Sequence, residues 1–358
     1  MASSSGQGEG NDPPYWLSQA AREPNVGIPS VPVLHDKRIS RIDKISHYLS
    51  GQCSIFRTLM DLRVEGSQHP DKERFFNTMK IVGREIQSAT SFFTIPSSNG
   101  RLPLRILDMG MAPGAFLQLA MEMNPDALAH AFTLPVENGG LEVQVALDSN
   151  AATIELVDVN MLAADLGVDV IPQYHPDAHK FSPRKLYPHD IFHLAICDAQ
   201  VPSSNLQDAY RKRYEQTRLM YAQLAIALDH MGVGGSMLVF IHKIEAWDSI
   251  MLIRSFCMFS DVKLFKPTKV HAKRSSCYMV ATNIQSKHEE AIKSVISWKQ
   301  LWKTATFDTE TMFNSLFESQ NPSVPDVLED FGPMLAILGN EAWEIQANAL
   351  ESWLEEIS

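Results

Sequence analysis

The stretch that most constrains this chain is residues 104–120, LRILDMGMAPGAFLQLA. Its first apolar residues predict the end of a buried strand, which stops at Asp108. A turn with glycines at Gly110 and Gly114 follows, and the apolar residues after it predict a helix. Glycines let backbone approach a ligand closely, and a helix N-terminus presents free N–H groups and a partial positive charge. The stretch therefore predicts a strand, a turn and a helix arranged around a ligand.

This turn departs from the glycine pattern of a dinucleotide site. It reads G-x-A-P-G-A, whereas a lone G-x-G-x-x-G would itself be a weak signal. A nicotinamide site also needs an acid about 20 residues further on, at the end of the second strand. That strand is predicted at 129–134, where Thr133 stands in place of the acid. The turn favours a nucleotide-like cofactor, and the alternative is an ordinary strand-to-helix connection.

Residues 104–283 alternate between predicted strands and helices, which is typical of a doubly wound α/β fold with a mostly parallel sheet. The last two predicted strands have no helix between them, so we expect an antiparallel hairpin at one edge of the sheet. The strands are predicted at 104–108, 129–134, 153–158, 191–198, 235–242, 261–266 and 276–283. The helices are predicted at 114–123, 160–166, 205–231 and 246–258, and the glycines from Gly232 to Gly235 suit a stop for the third.

The chain divides into four predicted regions. Residues 1–35, rich in Ser, Gly and Pro, predict a disordered tail. Residues 36–100 predict an N-terminal helical segment, and 101–285 carry the strand–helix alternation. Residues 286–358 predict a helical extension with 13 acidic and four basic residues, which accounts for most of the net charge of −11. We expect this extension to pack on the main body with an acidic outer face, and a separate module for a protein partner is the alternative.

Several classes of protein are disfavoured by composition. The four cysteines lack C-x-x-C spacing and predict buried thiols in a reducing compartment. No apolar run approaches the roughly 18 residues of a membrane span, and the N-terminus lacks the apolar core of a signal peptide. We therefore expect an intracellular protein, cytoplasmic or nuclear, without membrane contact. Four histidines are candidate metal ligands: His175, His179, His189 and His193. No metal is expected, because prolines prevent a helix that would place His175 and His179 on one face, His193 lies within an apolar strand and no Cys pair is nearby.

Four blocks that occur in order carry a family resemblance: LDMGMAPGAF (107–116), DIFHLAICDAQ (190–200), GVGGSMLVFIHK (232–243) and KLFKPTKVHAKRSSCYMVATN (263–283). The second is a buried strand ending at Asp198, and the third is a glycine turn before a strand ending at Lys243. Together the blocks resemble the FtsJ-like family of RNA 2′-O-ribose methyltransferases over about half of the chain. The resemblance implies the Rossmann-like fold of methyltransferases that use S-adenosylmethionine, within residues 101–285.

The resemblance also implies a set of functional residues. S-adenosylmethionine would be the cofactor, and its site would comprise Asp108, Gly110, Ala112, Pro113, Gly114, Phe116, Thr133, Asp158 and Asp198. The catalytic set of the family is Lys-Asp-Lys-Glu, in which Asp198 and Lys243 match the second and third members. Lys80 is assigned as the first member, with Lys72 as the alternative.

The fourth catalytic member is missing from this sequence. Alignment on Tyr278 places Ser276 where the glutamate belongs, and a shift of one residue places Cys277 there. A sugar hydroxyl needs a base or a cationic neighbour, and lysine can act as a base when burial or a second ammonium lowers its pKa. Glu245 lies two residues beyond Lys243, on the same face if the strand continues. We hypothesise that Glu245 supplies the missing carboxylate.

RNA is the partner that the resemblance implies, and basic clusters agree with it. The main cluster is the loop from Lys263 to Arg274; the others are Arg211–Arg213 and the group of Lys180, Arg184 and Lys185. Aromatic residues among these clusters are sparse, so the sequence does not indicate base stacking. The leading prediction is methylation of RNA ribose. The alternatives are a degenerate relative that binds RNA or cofactor without turnover, and a methyltransferase of small molecules.

Overall fold

A seven-stranded sheet organises the fold. The computed structural model describes residues 32–63, 75–96, 103–145, 147–148, 150–201 and 214–357. The strands, numbered along the chain, are β1 Arg105–Met109, β2 Leu128–Thr133, β3 Ala152–Leu156, β4 Phe192–Cys197, β5 Met231–Ile241, β6 Asp261–Phe265 and β7 Cys277–Ile284.

The order of strands in the sheet is β3-β2-β1-β4-β5-β7-β6. Pairing is parallel from β3 to β5, while β7 runs antiparallel to both β5 and β6. The chain therefore winds outward from β1 to β3, then returns to β4 and winds the other way. Such a reversal opens a crevice at the carboxyl ends of β1 and β4. The predicted Rossmann-like α/β fold, with an antiparallel pair at one edge, is confirmed.

Helices cover the faces of this sheet. They are α1 Pro32–Gln52, α2 Ser54–Arg63, α3 Phe75–Thr90, α4 Ala115–Met123, α5 Glu215–Asp229, α6 Trp247–Cys257, α7 Glu289–Phe307, α8 Glu310–Gln320 and α9 Val324–Ile357. Helix α1 begins inside the predicted tail 1–35, and the rest of that tail lies outside the described residues.

Two predicted helices differ from the structure. The segment 160–166 forms a short 3-10 turn, Val159–Met161, and then further turns. So short a segment cannot sustain a helix, and Gly167, with φ of +86°, ends it. Of the predicted helix 205–231, the part up to residue 213 lies outside the described residues. The rest ends at Asp229, because the glycines from Gly232 to Gly235 belong to β5 and pair in the sheet.

The terminal helices pack together and on the sheet. The ring of Phe56 in α2 meets Trp343 of α9 edge-on, with 4.9 Å between centroids. Arg41 of α1 donates a hydrogen bond of 2.9 Å to Glu318 of α8. Apolar residues of α7 to α9 share one core with β4, β5 and β7. The expectation that residues 286–358 pack on the main body is thus confirmed. Whether they also bind a protein partner stays a prediction.

Candidate functional site

Backbone hydrogen bonds fix the turn after β1. The N–H groups of Gly110 and Met111 both donate to the carbonyl oxygen of Phe132, each at 2.9 Å. The N–H of Ala112 donates to Thr133 Oγ1 at 3.3 Å. The threonine that replaces the acid of a dinucleotide site therefore supports the turn itself.

Two positions in this turn require glycine. Gly110 and Gly114 have φ of +128° and +105°, a region that other residues rarely adopt. A Cβ on Gly110 would lie 2.5 Å from the Cα of Ala199, and one on Gly114 would overlap the side chain of Val145. Helix α4 begins at once at Ala115, and no side chain caps it. Its first N–H groups remain available to a ligand.

A cavity of about 310 Å³ opens at this turn. Its volume falls in the range of sites for small organic ligands, roughly 300 to 1,000 Å³. The structure brings to it all nine residues that the sequence assigns to the cofactor, namely Asp108, Gly110, Ala112, Pro113, Gly114, Phe116, Thr133, Asp158 and Asp198. Their contact with a cofactor stays a prediction.

Two carboxylates face this cavity from adjacent strands. Asp108 lies in β1 and Asp198 directly follows β4, and among the described residues no cation pairs with either. Within the described ranges, the buried Oδ1 of Asp108 has no hydrogen-bond partner. Burial, and next the charge of Asp198, hold the pKa of Asp108 well above its usual range. Burial raises the pKa of Asp198 to about 7, although Gln200 donates it a hydrogen bond of 3.3 Å.

This carboxylate pair fits a cationic ligand. Asp108 is buried and Asp198 is half-buried, so the ionised form of each is poorly solvated, and the charge of Asp198 further disfavours ionisation of Asp108. A positive charge brought into the cavity would favour both ionised forms. The positively charged sulfur of S-adenosylmethionine meets that requirement, and the glycine turn leaves space beside it.

The far end of the cavity is built on a buried polar network. The side chain of Asp158 accepts a hydrogen bond of 2.9 Å from the N–H of Asn160. The amide of Asn160 donates to Glu215 at 3.1 Å, and Glu215 pairs with Arg218 at 3.0 Å. Asn160 and Glu215 line the cavity, although neither was predicted from the sequence. Their only sequence signal was the nearness of Asn160 to Asp158, since Glu215 is 55 residues away along the chain.

The two candidate lysines do not line the cavity. Lys80 of α3 holds its Nζ 4.5 Å from the ring centroid of Phe76. Lys243 follows the end of β5 and pairs with Glu245 at 3.3 Å, with 38% of its side chain exposed. Asp198 therefore lies at the cavity together with the predicted cofactor residues, whereas the two lysines do not. Lys72 lies outside the described residues.

Glu245 lies near the position of the missing carboxylate. Cys277 begins β7 and is buried, which raises the pKa of its thiol to about 12. The charge of Glu245 adds to that rise, so the carboxylate acts on Cys277, which is the second of the two positions, after Ser276, that alignment offers for the family glutamate. Glu245 is itself buried, and it also pairs with Lys243. The hypothesis that Glu245 replaces the glutamate stays a prediction, with this arrangement in its support.

The basic loop between β6 and β7 is not uniformly exposed. Lys266 is buried, and its ammonium donates hydrogen bonds to the carbonyl oxygens of Arg274 and Ser276, the latter at 2.7 Å. The prediction that Lys266 contacts RNA is therefore wrong, because its charge holds the base of the loop together. His271 and Arg274 line the cavity. Burial, followed by the charges of Arg274 and Lys266, lowers the pKa of His271 to about 4.

Helices from both ends of the chain hold the loop. Glu85 of α3 accepts hydrogen bonds of 2.9 and 3.1 Å from the N–H groups of Thr268 and Lys269. Gln346 of α9 donates to the carbonyl oxygen of Lys273 at 3.1 Å. The ammonium of Lys273 lies 5.2 Å from the ring centroid of Trp353, also in α9. The loop thus has a fixed position relative to the cavity.

The other basic clusters offer fewer free charges for RNA contact than the sequence suggested. Lys180, Arg184 and Lys185 each pair with an acid, at 2.6, 3.1 and 2.5 Å respectively. Arg211–Arg213 lies outside the described residues. His175 contacts the carbonyl oxygen of Thr306 at 3.2 Å and has a structural role. In the parts of the chain that the structure describes, no three metal-ligating side chains form a group.

Among the described helices, none has the length and apolar character that crossing a membrane requires.

Comparison with known proteins identifies a family. The model of the FtsJ-like methyltransferase family matches residues 84–284, more than half of the chain. A comparison with curated proteins finds no match.

Several solved structures have a distant similarity to this chain. An rRNA methylase from Streptococcus thermophilus is 11% identical, with a TM-score of 0.30 over 56% of this chain and 98% of the other. A fibrillarin/Nop5p complex is 10% identical, with a TM-score of 0.33 over 57% and 83%. TrmN from Thermus thermophilus is 14% identical, with a TM-score of 0.32 over 63% and 52%. Likenesses at this level carry no information on the substrate.

Proposed function

Because the chain belongs to the FtsJ-like methyltransferase family, we propose that it transfers a methyl group from S-adenosylmethionine to a 2′-hydroxyl of RNA ribose. The observation that carries the proposal is the cavity where Asp108 and Asp198 meet the glycine turn. Its acidic inner wall suits a cationic methyl donor. The basic loop at its rim suits a polyanionic acceptor.

The donor would lie against β1, β2 and β3. The backbone from Gly110 to Gly114 and the first N–H groups of α4 would bind its polar groups, and Asp158 would orient its nucleoside. Asp108 and Asp198 would face its positive charge. When bound, S-adenosylmethionine supplies the methyl group on a positively charged sulfur.

Asp198 is the residue that we assign to receive the hydroxyl proton. It lines the cavity, which the candidate lysines do not. A general base works best when its pKa lies near the operating pH, and burial raises the pKa of Asp198 to about 7. The ribose oxygen would give its proton to the carboxylate of Asp198 as that oxygen becomes a nucleophile.

Lys243, Glu245 and Lys80 complete the proposed catalytic set. Lys243 follows β5 at the same edge of the sheet as Asp198, because β4 and β5 are parallel neighbours. Its ammonium would stabilise negative charge on the reacting oxygen, and Glu245 would hold that ammonium in place. Lys80, on α3, would add a second cation.

A second candidate function is binding of cofactor and RNA without turnover. The observation that favours it is that neither Lys80 nor Lys243 lines the cavity. The same experiment separates it from the leading proposal, because the two functions share their ligands and differ only in transfer.

The test is transfer of labelled methyl from S-adenosylmethionine to total RNA by the full chain, with a small-molecule pool as a parallel acceptor. We expect label in RNA at bonds that resist alkali, because a 2′-O-methyl group blocks cleavage. Asp198→Asn should lower transfer about 10²- to 10⁴-fold, the usual effect of losing a general base. Lys243→Ala should lower it too, whereas Lys293→Ala, on the exposed face of α7, should not.

Three results would contradict the proposal. Label at alkali-sensitive positions would refute the 2′-hydroxyl as acceptor. Label in small molecules alone would refute RNA. Cofactor binding without transfer to either pool would establish the binding function instead.

A further inference from the structure

The cavity continues past β4 into a second half. This half is lined by residues of α3, β5, β7 and the loop between β6 and β7, namely Phe75, Met79, Phe240, His271, Arg274 and Tyr278. The strand order places β5 and β7 on the opposite side of β4 from the glycine turn, and Glu85 joins α3 to the loop between β6 and β7. The proposed donor lies against β1 to β3, so the second half faces the acceptor. We call it the acceptor half.

Aromatic side chains form one wall of the acceptor half. Phe75 opens α3 and is partly exposed, and it packs against the apolar cluster that includes Met79 and Tyr278. Phe240 of β5 is also partly exposed, and its centroid lies 5.5 Å from that of Tyr278. Partly exposed rings that line a cavity are suited to stacking on a base, which is worth roughly 1 to 3 kcal/mol per base.

An unpaired cation stands at the rim of the same half. Arg274 is exposed, and within the described part of the chain its guanidinium forms no ion pair or hydrogen bond. Its backbone is nevertheless held in place, because Lys266 donates a hydrogen bond to its carbonyl oxygen and Gln346 donates one to that of Lys273. A planar guanidinium binds two oxygens of one phosphate at once. Arg274 therefore offers an anion an available guanidinium on a fixed backbone beside the aromatic wall.

We propose that the acceptor half is a nucleotide subsite, in which Phe75 stacks on a base and Arg274 binds a phosphate of the same strand. The inference rests on the proposed function, which places the donor, and it deepens that function by specifying the acceptor. The acceptor is a single-stranded segment whose bases are free to stack and whose phosphates are intact. A nucleoside without phosphate, or a fully paired duplex, is a poor ligand.

The test is binding of a fluorescent oligoribonucleotide of eight adenosines, measured by anisotropy with S-adenosylhomocysteine at saturation. The other half of the cavity, against β1 to β3, is the donor half, and saturation with S-adenosylhomocysteine keeps the probe out of it. Arg274→Ala should weaken binding about tenfold and reduce the slope of log K against log salt by about 1. Phe75→Ala should weaken binding at least fivefold and leave that slope unchanged, while Phe75→Trp should retain affinity.

Matched variants control for general charge and surface effects. Lys287→Ala removes an exposed cation that follows β7, and Tyr187→Ala removes an exposed ring that stacks on His189, both outside the cavity. S-adenosylhomocysteine affinity within twofold of the wild type shows that each variant is folded. An effect of Arg274→Ala equal to that of Lys287→Ala, or an effect of Phe75→Ala equal to that of Tyr187→Ala, overturns the inference.

The result is separable from that of the proposed function. If the variants bind as expected but the wild type transfers no methyl group, the nucleotide subsite is supported and the proposed activity is refuted. If the wild type transfers methyl to RNA but both variants bind the oligonucleotide as the wild type does, the subsite is refuted and the proposed activity is supported. A wild-type chain that does not bind the oligonucleotide refutes the subsite outright.

Discussion

The two halves of the cavity are built in opposite ways. The half against β1 to β3 is acidic, and a backbone turn with two left-handed glycines lines it. The acceptor half is basic and aromatic, and side chains from α3, β5 and a loop form its walls. The first half suits a small cation, and the second suits a flexible polyanion. One cavity thus presents opposite charge to the two ligands of one proposed reaction.

The halves also differ in what stabilises them. The glycine turn depends on hydrogen bonds within residues 110–133. The acceptor loop depends on Glu85 of α3 and Gln346 of α9, which come from opposite ends of the chain. Helix α9 lies beyond the residues that the family model matches. The acidic C-terminal extension therefore contributes to the site by fixing its basic loop.

The largest effect should come from Gly114→Ala, which acts on the donor half alone. The added Cβ is strained at φ of +105° and overlaps Val145, at a combined cost of roughly 2 to 5 kcal/mol. We expect affinity for S-adenosylmethionine, measured by calorimetry, to fall at least thirtyfold. Gly167→Ala is the control, since Gly167 has φ of +86° with open space around it. Equal affinities in the two variants would show that the turn does not bind the donor.

A smaller effect should come from Glu245→Gln, which tests the proposed role of the Lys243–Glu245 ion pair in methyl transfer. The substitution keeps the shape of the side chain and removes the charge that holds Lys243. We expect methyl-transfer turnover to fall about tenfold, with donor affinity within twofold of the wild type. Glu289→Gln is the control, because Glu289 pairs with Lys293 on an exposed helix face. Turnover unchanged from the wild type would remove Glu245 from the catalytic set.

The fold and the donor half could be predicted because their signals are local. Asp108 and the glycine turn lie within ten residues, and alternating strands and helices predict where the ends of parallel strands meet. Asp198 was found in the same way, since it directly follows a buried strand. The sequence already showed Thr133 in the position where a dinucleotide site has an acid, and in the structure its hydroxyl oxygen accepts a hydrogen bond from the turn.

The acceptor half could not be predicted because its parts are far apart in the sequence. Phe75 and Arg274 are separated by almost 200 residues, and no spacing rule joins them. The charge of Lys266 was misassigned for a related reason. A lysine in a basic loop resembles a surface cation until the carbonyl oxygens around its ammonium are known. The stripe of apolar residues at 160–166 was likewise too short to distinguish a helix from a turn.

The most direct test of the central claim, that the pair of Asp108 and Asp198 selects a cationic donor, is a comparison of two ligands across pH. S-adenosylhomocysteine lacks both the methyl group and the positive charge on sulfur. Because the methyl group does not titrate, the change with pH in the ratio of its Kd to that of S-adenosylmethionine reports on the charge. Burial raises the pKa of Asp198 to about 7, so its carboxylate ionises as pH rises through 7. We predict that the ratio increases severalfold from pH 6 to pH 8 in the wild type and much less in Asp198→Asn. A ratio that is independent of pH in the wild type, or that increases equally in Asp198→Asn, would contradict the account.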